Sequence, residues 1–125
     1  MDNQDSSPGR RFYDHQISVL EAKDIAGIVD QYQPDAVVVG FDFQVRGSAA
    51  IARHFAAYLD EIGSLKLVST DRWAETEDSI FFEATVQTAH GTAQVYDVFL
   101  LREGKATHQY TGLLSFTPHR QEEQG

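Results

Sequence analysis

Apolar residues recur along this chain with two different periods, and the change comes just past its middle. From Arg11 onward, Phe12, Tyr13, Ile17 and Leu20 make a helical stripe. Asp24 stands where a cap belongs for a second short helix carrying Ile25, Ile28, Val29 and Tyr32, which Pro34 ends. "DAVVVGF" (35–41) is a short β-rich run that suits a buried strand. After "QVRG", the stretch Ser48–Ile62 puts Ile51, Phe55, Tyr58, Leu59 and Ile62 on one face of an amphipathic helix.

The second half reads with period two. "SLKLVSTDRWAE" (64–75), "SIFFEATVQTA" (79–89), "TAQVYDVFLLR" (92–102) and "KATHQYTGLLSF" (105–116) are strand-like, with turn signals at Glu77–Asp78, His90–Gly91 and Glu103–Gly104. Helices first and a long meander second predict an α+β fold. Its curved antiparallel sheet wraps around the N-terminal helices as a cone, with an internal pocket at the open end. One domain over 11–117 is expected, with disordered segments at 1–10 ("MDNQDSSPGR") and 118–125 ("PHRQEEQG").

Composition narrows the function classes. A net charge of −9 argues against nucleic acid and against an anionic membrane surface, since both need a cationic face. The chain has no cysteine, which removes disulfides, thiol nucleophiles and thiolate metal sites. No run has the length of a membrane span or the apolar core of a signal peptide, so a cytoplasmic location is expected. His15, His54, His90 and His119 show no metal-ligand spacing, and neither metal nor cofactor is expected. His54 lies beside Phe55 within reach of a pocket, but reads as a helix-surface residue.

Asp97 is the chemical residue that the pattern singles out. Strand faces alternate, so Asp97 shares a face with Ala93, Val95, Phe99 and Leu101, the drier side of its strand. An unpaired carboxylate there tends to neutralise, and a neutral acid can donate a proton. A two-residue turn at His90–Gly91 would pair Ala84 with Asp97, Phe82 with Phe99 and Val86 with Val95. The next turn leaves two registers. A two-residue turn at Glu103–Gly104 sets Tyr110 opposite Asp97 and His108 opposite Phe99. A three-residue turn with a glycine bulge sets Gln109 opposite Asp97, with Thr107 and Thr111 beside it. Arg-Glu-Gly suits the second better, because a primed turn prefers Asn-Gly or Asp-Gly. One residue of slip exchanges the faces. Trp73 fits either pocket or core. The outer sheet face, with Tyr96, Val98 and Leu100, is too apolar to stay wet and predicts an isologous homodimer.

The order of elements resembles the nuclear-transport-factor-2-like superfamily, which includes ketosteroid isomerases and SnoaL-like polyketide cyclases. "VLEAKDIAGIVDQYQPDAVV" (19–38) is similar to its helix-turn-helix into the first strand, "RGSAAIARHF" (46–55) to its glycine-initiated third helix, and "YDVFLLREGKA" (96–106) to its strand hairpin. In ketosteroid isomerases a tyrosine and a protonated aspartic acid hold the developing enolate while a second aspartate shuttles the proton. By this resemblance the oxyanion-side acid falls on Asp97, the tyrosine on Gln16, with Tyr13 one turn earlier, and the shuttling base on Gly40. Asp42 could replace that base only if the strand bulged. Tyr32 and Phe55 fall where aromatic residues back the pocket. Two of three catalytic positions are altered, so steroid isomerisation itself is not implied.

Two functions stay open. One is a cofactor-independent acid/base enzyme, an isomerase, cyclase or dehydratase, acting on a small apolar carbonyl compound. Asp97 would be its catalytic residue, with Tyr13, Gln16, Tyr32, Phe55, Trp73, Phe82, Phe99 and Gln109 around the ligand, or His108 and Tyr110 in the other register. The alternative is a non-catalytic module of the same fold that binds a small ligand or dimerises.

Overall fold

The computed structural model describes residues 7–119. Helix α1 (Pro8–Glu21) begins three residues before the expected start, inside the segment expected to be disordered. Ser7 and Pro8 are the reason: the Ser7 hydroxyl accepts the Arg10 N–H at 3.1 Å, and proline occupies the first turn, where a missing N–H costs nothing. Glu75 reinforces this end from the sheet, accepting from Ser7 Oγ at 2.9 Å and the Gly9 N–H at 3.1 Å. The rest of the expected leader, and the tail from 120 onward, lie outside the described residues. Pro118, expected in the tail, still belongs to a strand.

Helix α2 (Ile25–Val29) is capped by Asp24, whose side chain accepts the Gly27 N–H at 3.0 Å, a contact worth about 1 kcal/mol. It stops before Tyr32, and Pro34 does not end it. Both residues sit in strand β1 (Tyr32–Val39), where a register shift between Tyr32 and Val37 accommodates the proline's missing donor. Strand β2 (Gln44–Arg46) was not expected; three residues are too few to display a period. Gly47 then opens α3 (Ser48–Ile62) at φ 92°, a backbone conformation that suits glycine.

The remaining strands are β3 (Leu65–Thr76), β4 (Ser79–Thr88), β5 (Gly91–Arg102) and β6 (Lys105–Pro118). They assemble in the order β2-β1-β6-β5-β4-β3. The neighbours are antiparallel except β1 and β6, which run parallel because most of the chain crosses over between them. Register shifts fall in β3 near Val68 and Asp71 and in the β5–β6 pair near Gln94 and Leu100. Such bulges bend strands, and here they curl an open sheet around the helices.

Two turns differ from expectation. The β4–β5 loop is Ala89–His90, one residue earlier than expected, with the Thr88 hydroxyl accepting the N–H groups of His90 and Gly91. Gly91 belongs to the strand, where a Cβ would lie 2.3 Å from the Thr117 carbonyl oxygen. Every pair therefore slides by two: Ala84 faces Val95, Phe82 faces Asp97 and Val86 faces Ala93. A slide of two keeps the faces, so Ile80, Phe82, Ala84 and Val86 are all buried.

The β5–β6 turn is the two-residue form, with Glu103 at φ 55° and Gly104 at φ 82°. Arg102 pairs with Lys105 and Leu101 with Ala106, but Leu100 pairs with His108, so Thr107 is a bulge. That extra residue undoes the parity that the turn alone would set. Gln109 and Thr111 face inward, opposite Phe99 and Asp97, while His108 and Tyr110 face outward.

The inner sheet face packs on the helices through Phe12, Tyr13, Val19, Ile28, Ile51, Phe55 and Leu59. Rings interlock at its centre: Phe12 is edge-on to Phe99 at 4.9 Å, Tyr13 to Phe82 at 4.7 Å, and Phe82 stacks along Phe99 at 6.2 Å. Among the described residues no helix is long and apolar enough to cross a membrane.

Candidate active site

Between the helices and the concave sheet face lies a chamber of about 150 Å³. Helix α1 contributes Tyr13, Gln16, Ile17 and Leu20; α3 contributes His54, Phe55 and Tyr58; β4 and β5 contribute Phe82, Ala84, Val95, Asp97 and Phe99. Gln109 and Thr111 of β6 complete it, with Phe43 from the β1–β2 loop. A wider vestibule of about 600 Å³, rimmed by Phe41, Leu113 and Phe116, adjoins it and shares Phe43, Tyr58, Val95 and Thr111.

Asp97 sits in the middle of β5, between Phe82 on one neighbour and Thr111 on the other. Burial pushes its carboxyl up from 3.8 to about 6, although hydrogen bonds from Gln109 and Thr111 pull the other way. The Gln109 bond, Nε2 to Asp97 Oδ1 at 2.9 Å, ends a directed series. Gln31 Nε2 donates to Gln16 Oε1 at 3.3 Å, Gln16 Nε2 to the Tyr32 hydroxyl at 3.3 Å, and the Tyr32 hydroxyl to Gln109 Oε1. Every donor points towards the acid, so the series holds the Gln109 amide with its N–H on the carboxylate. A half-buried acid with one oxygen fixed and a carboxyl near 6 can exchange a proton at neutral pH.

A family model for the SnoaL-like domain matches residues 10–109. The chain belongs to the SnoaL-like domain family. No curated protein sequence matches it. Among solved structures, it is similar to an NTF2-like protein from Anabaena variabilis, with TM-score 0.76, 15% identity, and 85% of this chain and 86% of that one covered. A candidate polyketide cyclase from Sinorhizobium meliloti gives TM-score 0.72 at 15% identity, covering 82% and 94%. A candidate ketosteroid isomerase from Kribbella flavida gives 0.72 at 12% identity, covering 94% and 86%. At these identities the likeness shows the fold: N-terminal helices on a curved, unclosed sheet.

In this SnoaL-like domain most of the residues singled out from sequence converge on the chamber. Tyr13 lines it by its ring, but its hydroxyl is paired with Thr70 Oγ1 at 2.5 Å. Tyr32 is buried behind the wall and reaches the acid only through Gln109. Trp73 is outside: it stacks on Phe82 at 5.9 Å and meets Tyr13 edge-on at 5.1 Å, with the Arg10 guanidinium over its ring. It pairs with Phe82 but stands on the edge strand β3, one strand out from the chamber wall. His108 and Tyr110 stack on each other at 6.1 Å on the opposite sheet face. Asp42 is exposed at the vestibule and does not reach the chamber. The place of a side chain at Gly40 is taken by the Phe43 ring, whose Cε1 would lie 2.2 Å from a Cβ there.

Sequence reasoning missed Phe43 and Tyr58 as chamber residues and set His54 aside as a helix-surface residue, whereas all three line the chamber. His54 and Tyr58 stand four apart beside the apolar stripe of α3, a spacing that puts both on one side of a helix. That spacing was the available signal; Phe43, in a loop, left none. Among the described residues no three His, Asp or Glu side chains are grouped to hold a metal ion.

Proposed function

We propose that this protein is a cofactor-independent acid/base catalyst acting on a small apolar carbonyl compound, of the isomerase, cyclase or dehydratase type. The observation that carries this reading is Asp97, an acid with its carboxyl near 6 in a chamber walled by Phe55, Phe82 and Phe99. A ligand that displaces water from the chamber raises that value further and favours the protonated acid. Protonated Asp97 then donates to the carbonyl oxygen as an enol forms. Gln109 holds the other carboxyl oxygen and keeps the donor aimed. The names of the fold neighbours point to the same class of carbonyl chemistry.

A test independent of the true substrate is α-hydrogen exchange of 2-tetralone in D₂O, followed by proton NMR. The protein should accelerate exchange well above an equal concentration of acetate, and Asp97→Asn should remove about 10²-fold or more of that rate. Equal rates for the two proteins would sink the acid role. The Phe43 ring over Gly40 favours a second reading, a binding module without chemistry. That reading expects 2-tetralone to bind without exchanging.

The outer face is assigned to a second copy of the chain. Val39, Tyr110, Val98, Phe81 and Ala74 align in one row across β1, β6, β5, β4 and β3. Phe81 is 50% and Tyr110 40% exposed, a strip that a twofold mate would cover. Light scattering should give a dimer for the wild type and a monomer for the double variant Phe81→Glu/Tyr110→Glu. A monomeric wild type would overturn this assignment.

A further inference from the structure

We infer that helix α3 supplies the other half of the reaction centre: the His54 imidazole takes the proton from the carbon beside the carbonyl, and the Tyr58 hydroxyl is the second donor to the oxygen that Asp97 holds. This rests on the proton-transfer reading of the chamber and names the base which that reading lacks.

Three observations converge on His54 and Tyr58. First, both line the chamber together with Asp97, which comes from the opposite wall. Second, the His54 ring is clamped. Phe43 stacks on it at 4.5 Å and 22°, the Tyr58 ring lies nearly parallel at 6.4 Å and 8°, and Phe55 meets it edge-on at 5.0 Å. Aromatic neighbours on its faces fix the plane of the imidazole. Third, among the described residues neither ring nitrogen of His54 nor the Tyr58 hydroxyl has a hydrogen-bond partner. Among the described residues no fully buried side-chain nitrogen or oxygen is left unpaired, so these atoms are not fully enclosed by protein. Polar groups held rigidly at an apolar chamber without a protein partner are arranged for a ligand.

The protonation states agree with these roles. Burial lowers the pKa of His54 and keeps the ring neutral, the form that accepts a proton. Burial, then the charge of Asp97, pushes the Tyr58 hydroxyl up to about 12, so it keeps its proton and donates. The Phe43 ring that occupies the space beside Gly40 is the same ring that stacks on His54. Glycine at 40 thus leaves room for the ring that stacks on His54.

The step balances without an oxidant. The C–H bond beside the carbonyl breaks and its proton passes to an imidazole nitrogen. The released electron pair forms the carbon–carbon double bond while the carbonyl π pair moves to oxygen. That oxygen takes the Asp97 proton. Where the substrate carries a β,γ double bond, the enol is a conjugated dienol; return of the imidazolium proton to its γ carbon, and of the enol proton to Asp97, gives the conjugated isomer and the starting enzyme.

The experiment measures 2-tetralone exchange, and affinity for 2-naphthol as a mimic of its enol, in the full chain carrying His54→Gln, Tyr58→Phe or Asp97→Asn. We expect His54→Gln to lose about 10²-fold or more of the exchange rate while 2-naphthol still binds, with added imidazole restoring part of the loss. Retained binding shows that the variant is folded. Tyr58→Phe should weaken both exchange and 2-naphthol binding. Near-wild-type exchange in His54→Gln, with exchange lost in Asp97→Asn, overturns the role of His54 and leaves that of Asp97 standing. A wild type that binds 2-naphthol but exchanges nothing overturns both.

Discussion

Asp97→Asn is expected to yield a protein that is inert in α-hydrogen exchange yet harder to unfold at pH 7 than the wild type. The sign follows from the direction of the Asp97 displacement. Its carboxyl is raised from 3.8 to about 6 by burial, so between those values the folded chain keeps a proton that the unfolded chain has released. Wild-type stability therefore falls as pH rises through that window and stays lower above it. The rise corresponds to about 3 kcal/mol at pH 7, the cost of keeping a carboxylate in the chamber. Asparagine carries no charge at any pH, and its side-chain oxygen can still accept from Gln109 Nε2. Urea unfolding should show the variant about 2–3 kcal/mol more stable at pH 7, with the gain largely gone at pH 4. A gain that is the same at both pH values would show that the carboxylate carries no such cost. The pairing of lost chemistry with gained stability is the signature of a residue kept for function.

Phe99→Ala is expected to have the largest effect on the fold itself. Phe99 is 2% exposed and its ring meets Phe12 at 4.9 Å, Phe82 at 6.2 Å and Tyr32 at 6.4 Å. It joins α1 and two strands at one point, so its removal leaves a void that no single neighbour can refill. Large-to-small changes of this kind cost about 3–5 kcal/mol. For a domain whose whole stability is about 5–15 kcal/mol, that lowers the melting temperature by roughly 10–20 °C. Phe99→Leu, which keeps most of the volume, should cost far less. Calorimetry on the two variants checks the difference; equal small losses would mean that the ring cluster can collapse around the gap.

The helices and the four long strands were legible in the sequence because their signals are local. Alternation over 79–88 is unbroken, and caps such as Asp24 and openers such as Gly47 act on their own neighbours. Asp97's inward aim was legible for a related reason: strand parity survives errors of two, and the β4–β5 pairing slid by two. What escaped depends on long-range geometry. Trp73 pairs with Phe82 and shares its face, but it stands on the edge strand β3, one strand out from the chamber wall, and strand order across a sheet leaves no period to detect. Tyr32 became a strand residue behind the wall because β1 pairs with β6, which is distant in sequence. His54 lies on the flank of an amphipathic helix. Whether a flank is wet or walled is decided by whatever packs beside it, here Phe43 from a loop.

The bulge at Thr107 has a consequence for comparing this chain with its relatives. Residues before it are counted from the Glu103–Gly104 turn, and residues after it are counted one place out of step. An alignment run without gaps from the turn to Tyr110 would match a relative's inward-facing residue to His108 when its counterpart is Gln109. Position 107 is where a gap belongs. A relative one residue shorter there can carry the same inward set on an unbulged hairpin, whereas a residue lost between 108 and 111 would turn the rest of the strand over.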